Sequence, residues 1–316
     1  MITLEFVNVL MGLMMAGIAI VNLRDRASKK RYNNAAFWGI YAITFLAGSY
    51  LPNFVNGLLV IAMVLIVAIG KLGSAPPEQT SRADREVSAA KWGNRLFIPA
   101  LTIPAVALLG TFTLKGFRVN GVPLVDPKQV TLISLGLATV VALVVGMVML
   151  RPPPSAPIVE ARRLMDAVSW AAVLPQMLAA LGAMFALAGV GPIVAGILSR
   201  WIPLDTPFVV VVTYTVGMAL FTTIMGNAFA AFPVMTAAIG LPLIVHRFGG
   251  NVVVVAAVGM LSGFCGTLMT PMAANFSAAG TMLKLPDQNG VIKVQIPTAI
   301  MLLAANTAIM YLFAFR

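Results

Sequence analysis

The 316-residue sequence has one cysteine and one histidine. A single thiol excludes an internal disulfide, and Cys265 with His246 cannot complete a zinc site. Charge is scarce as well, with ten acids, 21 bases and 10% charged residues in all, against about 25% in an average soluble domain. An enzyme would need a nucleophile–base set or a metal centre, and the scattered acids offer neither. No ionisable residue falls in the middle of a long apolar run, and Glu5, Asp166 and Asp205 sit near run ends. Ionisable groups inside a membrane usually mark proton relays. Their scarcity argues for sodium coupling, or for a partner that supplies the carboxylate. Long polar stretches are also missing, apart from Gly73–Lys91, which reads as a linker or short surface helix. There is no low-complexity tail and no heptad pattern.

What fills the sequence is apolar, at 60% of residues, where about 45–50% is ordinary. A soluble core cannot absorb that excess, so the chain reads as an all-α polytopic membrane protein. The net charge of +11 sits between the apolar runs, as the positive-inside rule expects, and no folded basic domain exists to hold nucleic acid. The 19 methionines are apolar filler without a spaced Met/His pattern for copper.

A span needs about 20 apolar residues. Candidates are Val7–Leu23, Ala35–Tyr50, Phe54–Leu72, Phe97–Leu114, Val130–Leu150 and Val168–Ala188. The first is followed by charge rather than a small-residue cleavage site, so it reads as retained. Basic loops at Arg24–Arg31, Lys71–Arg95 and Arg151–Arg163 put those loops in the cytoplasm and the N-terminus outside. His246 and Arg247 fall at a surface, where His246 reads as a solvated loop residue.

The second half is less regular. Ile193–Ile202, with Arg200 and Trp201, suits an interfacial piece. Residues 207–245 read as two helices bent near Gly226-Asn227, entering and leaving on one side. Residues 252–283 read as one span interrupted around Ser262–Asn275, and Ile296–Phe315 closes the chain. Eight to eleven membrane segments are expected, divided into residues 1–163 and 164–316.

Backbone that leaves the helix inside a bilayer survives only where protein buries it or it lines a cavity. Two such interruptions point to a transporter's binding site. Around the first, Thr222, Thr223, Gly226 and Asn227 combine a flexible backbone with neutral donors and acceptors. Around the second stand Ser262, Gly263, Gly266, Thr267, Thr270, Pro271 and Asn275. Pro271 leaves preceding carbonyls without partners. The bland alternatives are helix packing for Gly226 and Ala228, and a proline kink with no ligand at Pro271. Cys265 reads as a small buried apolar residue.

The runs Gly226-Asn227-Ala228-Phe229-Ala230-Ala231-Phe232-Pro233, Ser262–Phe276 and Gln295-Ile296-Pro297-Thr298-Ala299 resemble the larger subunit of the bacterial two-component 5-oxoproline (pyroglutamate) transporters. That family was first catalogued as a domain of unknown function, and the likeness covers the whole chain. More distantly, the sequence is similar to the ion transporter superfamily. The resemblance implies an elevator-type secondary transporter in the bacterial inner membrane that moves a small carboxylate, most specifically 5-oxoproline. It implies a re-entrant hairpin with Thr223, Gly226 and Asn227 at its tip, and a broken helix with Gly266, Thr267, Thr270 and Pro271 at its joint. It implies no cofactor, with sodium or a proton as coupling ion. The first half lacks a matching hairpin and broken helix, so a smaller membrane-protein subunit is the expected partner, besides lipid. A scaffold or assembly subunit without substrate contacts is the alternative.

Overall fold

The computed structural model describes residues 1–73, 81–119, 121–273, 287 and 289–316. The chain divides into two units, Met1–Asp166 and Ala167–Arg316.

The first unit contains α1 (Glu5–Arg24), α2 (Arg31–Ala47) and α3 (Asn53–Leu65), whose last turn widens to a π-helix over Ile66–Gly70. Then come α4 (Arg82–Trp92), α5 (Phe97–Leu114), α6 (Val130–Leu150) and α7 (Ala156–Val168). A two-residue ladder pairs β1 (Arg118–Val119) with β2 (Val122–Pro123). Helix α4 is the surface helix expected between Gly73 and Lys91. Ser81 and Asp84 close a capping box at its start, satisfying donors that would otherwise be orphaned. The polar stretch after Pro152-Pro153-Pro154 is helical rather than a loop. Helix α7 therefore runs through the Arg163/Leu164 position where the sequence divided the chain.

The second unit contains α8 (Leu174–Leu187), α9 (Val190–Trp201), α10 (Pro207–Met225), α11 (Ala228–Met235), α12 (Val252–Leu268) and α13 (Gly290–Phe313). Helix α11 continues as a π-helix over Thr236–Arg247. The core joins Val210, Tyr214 and Met218 of α10, Met235, Ile239 and Ile244 of the α11 arm, Val255 of α12 and Met310 of α13. Small residues let backbones approach closely, as membrane helices require. A Cβ at Gly182 of α8 would lie 3.0 Å from the Ala230 Cα of α11.

Eight stretches among the described residues are long and apolar enough to cross a membrane, including Glu5–Arg24, Val130–Leu150, Pro207–Met225 and Ala228–Arg247. At about 1.5 Å per residue, a 20-residue helix is about 30 Å long, the thickness of the hydrocarbon layer. Large apolar side chains such as Leu101, Leu108 and Phe112 of α5 point outward. Lipid solvates such a surface, whereas water would not. The chain is thus an all-α, multi-pass membrane protein.

Candidate functional site

The two expected interruptions lie in the second unit; the first is present in the backbone, and of the second the described residues show the end of α12 and the turn that follows it. Thr206 caps the start of α10, and Pro207 occupies its first turn, where a missing N–H costs nothing. Nineteen residues later Gly226 ends the helix with φ +75°, a conformation that side chains resist. Asn227 turns extended and becomes the N-cap of α11, its Oδ1 accepting from Phe229 N at 2.7 Å. The chain therefore reverses between two helix ends. Each arm of this hairpin is about a bilayer long, at 19 and 20 residues.

Helix α12 begins at Asn251, whose Oδ1 accepts from Val253 N at 2.9 Å. It runs unbroken to Leu268, so the expected interruption starts at Met269 and not at Ser262. The reason is local. Ser262 Oγ donates to the Val258 carbonyl at 2.8 Å, Cys265 Sγ to Leu261 at 3.4 Å and Thr267 Oγ1 to Phe264 at 2.7 Å. Each side chain returns its hydrogen to the preceding turn, a bond compatible with a continuing helix. Thr270, buried, then accepts from Met272 N at 3.2 Å through its Oγ1 and holds the turn at Pro271. Asn275 lies outside the described residues, as does the remainder of the expected broken helix beyond Ala273.

The end of α12 meets the hairpin tip. A Cβ on Gly226 would stand 2.6 Å from the Met272 carbonyl oxygen. Gly263 and Gly266 of α12 face Thr222 of α10: a Cβ at Gly263 would lie 3.3 Å from Thr222 Oγ1, and one at Gly266 would lie 2.8 Å from Thr222 Cβ. Thr223 Oγ1 donates to the Ala219 carbonyl at 2.8 Å and lies 3.4 Å from the Gly266 carbonyl. Phe229 and Phe264 pack edge to face at 6.1 Å. Thr222, Thr223, Gly226, Asn227, Gly263, Gly266, Thr270 and Pro271 thus gather at one junction. Ser262 is wholly buried and engaged with its own helix. Thr267 is partly exposed and turned to the backbone of its own turn.

Two polar groups at the junction are spare. Thr222 Oγ1 is buried and has no hydrogen-bond partner among the described residues. Asn227 is 8% exposed and among the described residues spends only its Oδ1, on the cap, leaving an amide that can donate twice. The start of α11 adds backbone N–H groups and the positive end of a helix dipole. The end of α12 offers carbonyl oxygens. This neutral set suits an anion on one side and a cation on the other. Among the described residues there is no group of three or more His, Cys, Asp and Glu placed to hold a metal ion. Arg247 donates to the Leu204 carbonyl at 3.1 Å and pairs with Asp205 at 3.3 Å, half exposed, a pair worth about 0–1 kcal/mol.

A second polar cluster, in the first unit, escaped the reading of the sequence. Asn22 of α1, Asn34 and Trp38 of α2, and Arg162 and Asp166 of α7 are all buried. Arg162 also reaches Asp25, just past α1, at 2.5 Å. That guanidinium holds the Asp25 carboxyl below the usual carboxylate range. Its partners stand far apart in sequence, which hid it. The available signals were Arg162 and Asp166 four residues apart on α7, and an asparagine inside the apolar run of α1.

The family model described as "Protein of unknown function (DUF979)" matches residues 5–315. No curated protein and no solved structure matches the chain.

Proposed function

The chain belongs to the DUF979 family, and from that premise we propose that it is a subunit of a secondary active transporter that imports a small carboxylate, 5-oxoproline first among candidates. The observation that carries the reading is the meeting of a helix break with a helix end: the Gly226-Asn227 tip stands against the Met272 carbonyl in the turn that follows α12. Non-helical backbone at membrane depth is retained where it lines a cavity or is buried in protein. Here it arrives with a spare amide on Asn227 and a spare hydroxyl on Thr222.

In this proposal Asn227 Nδ2 and the first N–H groups of α11 bind the substrate carboxylate, and Thr270 shapes the opposite wall. Carbonyls at the end of α12 and Thr222 Oγ1 hold polar substrate atoms or a coupling ion. Both arms of the hairpin are long enough to cross the bilayer, so they act as a pair of spans rather than as the expected re-entrant hairpin, and substrate crosses by elevator movement of this unit. The membrane is the bacterial inner membrane. A smaller membrane-protein subunit completes the site, because residues 1–163 carry no matching hairpin in their sequence.

Uptake of labelled 5-oxoproline into liposomes tests this, with the smaller subunit present or absent and with or without a sodium gradient. Wild-type complex is expected to accumulate substrate, and Asn227→Ala and Thr270→Val, inserted normally, to lose most uptake. Full uptake in both variants removes the site assignment. Tolerance of both substitutions together with loss of complex on surface changes indicates a scaffold subunit instead.

A further inference from the structure

The buried cluster of the first unit contains a carboxylate that the junction does not use. The Asp166 side chain is 0% exposed. Its two oxygens are unequally served. Oδ1 accepts from Trp38 Nε1 at 2.7 Å and from Asn22 Nδ2 at 3.2 Å, while Oδ2 has Arg162 Nε at 3.3 Å. Arg162 is divided further: its Nη2 donates to Asp25 Oδ2 at 2.5 Å and its Nε also to Asn22 Oδ1 at 3.1 Å. Asn34 donates to Asn22 Oδ1 at 3.3 Å and accepts from Gly73 N at 2.8 Å.

Two carboxylates share one guanidinium, so the ionised cluster carries one excess negative charge. The closer pair is Arg162 with Asp25, whose side chain is 23% exposed, and not Arg162 with the enclosed Asp166. Among the described residues no second cation bonds to Asp166, and Arg26, Lys29 and Lys71 are exposed. On α1, Arg24 is exposed. On α2, Arg31 engages Tyr32, and Tyr41 packs beside Trp38. Lys30 donates to the Gly70 carbonyl, and Arg163 of α7 pairs with Glu160. An uncompensated buried charge is costly, and buried ionisable groups in membrane proteins commonly serve ion and proton movement.

The geometry points to Asp166 Oδ2 as a proton-binding site, and, resting on the transport reading above, to proton binding there as the step that drives solute entry. A proton from water adds to Oδ2, the O–H bond forms, and the excess charge disappears. Trp38 and Asn22 keep their bonds to Oδ1. Of the two carboxylates, Arg162 then serves Asp25 alone, at the end of the cluster that touches solvent, and its Nε keeps its bond to Asn22 Oδ1. Release of the proton restores the shared guanidinium. The competing description is a permanently ionised clasp that only fastens α7 to α1 and α2.

Infrared difference spectroscopy on the reconstituted complex, with labelled aspartate carboxyls, decides between them. Acidification is expected to produce a protonated-carboxyl band that is absent in Asp166→Asn, shifted in Asp166→Glu and moved to lower pH in Asp25→Asn, where Arg162 serves Asp166 alone. Uptake driven by an inward proton gradient is expected to be lost in Asp166→Asn and partly restored in Asp166→Glu. A band unchanged in both Asp166 variants, no band at all, or unaltered gradient-driven uptake in Asp166→Asn overturns the proposal. A normal band in wild-type liposomes that carry no solute overturns the transport reading and leaves the proton site standing.

Discussion

Gly226→Ala tests whether the hairpin tip sits against α12, and Gly249→Ala is its natural control. Both glycines have left-handed backbone, at φ +75° and φ +71°. An L-residue there costs about 1–2 kcal/mol, and the entropy removed from the unfolded chain, about 0.4–1 kcal/mol, is common to both. Only the space differs. At Gly249 a Cβ meets nothing within 4 Å, whereas at Gly226 it lies 2.6 Å from the Met272 carbonyl oxygen and 3.0 Å from the Met272 Cβ. Backbone cannot rotate away as a flexible side chain would, so overpacking adds about 1–3 kcal/mol. Gly226→Ala should therefore cost about 1–3 kcal/mol more than Gly249→Ala, read from equilibrium unfolding in mixed micelles. Equal costs would mean that Met272 does not press on the tip, and the junction would dissolve with that contact.

Thr222→Val removes a buried hydroxyl without a described partner. It should raise stability by about 1 kcal/mol while lowering uptake, and a stability loss instead would reveal a hydrogen bond to that hydroxyl. The Asp25–Arg162 pair predicts a pH dependence. Because Asp25 is held below the usual carboxylate range, its stabilisation is present above the unfolded value of about 3.9. It is lost as pH falls through the lower folded value. Melting temperature followed against pH should show an acid limb that flattens in Asp25→Asn, and an identical limb in the variant would contradict the pairing.

Much of the fold was legible because chemistry marks its boundaries. Helix α5 matched its sequence bounds because Lys115-Gly116 follows the apolar run, and α6 matched because Arg151 and three prolines follow it. The hairpin break was readable from Gly226-Asn227, a residue free to adopt positive φ followed by a strong N-cap. The extent of the second break was not. Ser262 and Thr267 fall inside the expected interruption, yet each donates to a carbonyl of the previous turn and leaves the helix intact. Glycines at 263 and 266 act as contact points for Thr222 rather than as hinges. The first-unit cluster was hidden for another reason. Asp166 looks like a span-end acid until Asn22 and Trp38, 144 and 128 residues away, are seen to bind it. Periodicity reports which face of a helix is apolar, and it does not report which distant helix will meet a lone polar side chain.

The most direct test of the account is a solid-state dipolar contact in liposomes, between the ¹⁵N-labelled side-chain amide of Asn227 and 5-oxoproline carrying ¹³C at its carboxylate. Substrate seated at the junction predicts a strong signal that disappears in Asn227→Asp and on competition with unlabelled 5-oxoproline. Saturable binding of substrate with no such contact would place the ligand elsewhere and contradict the site.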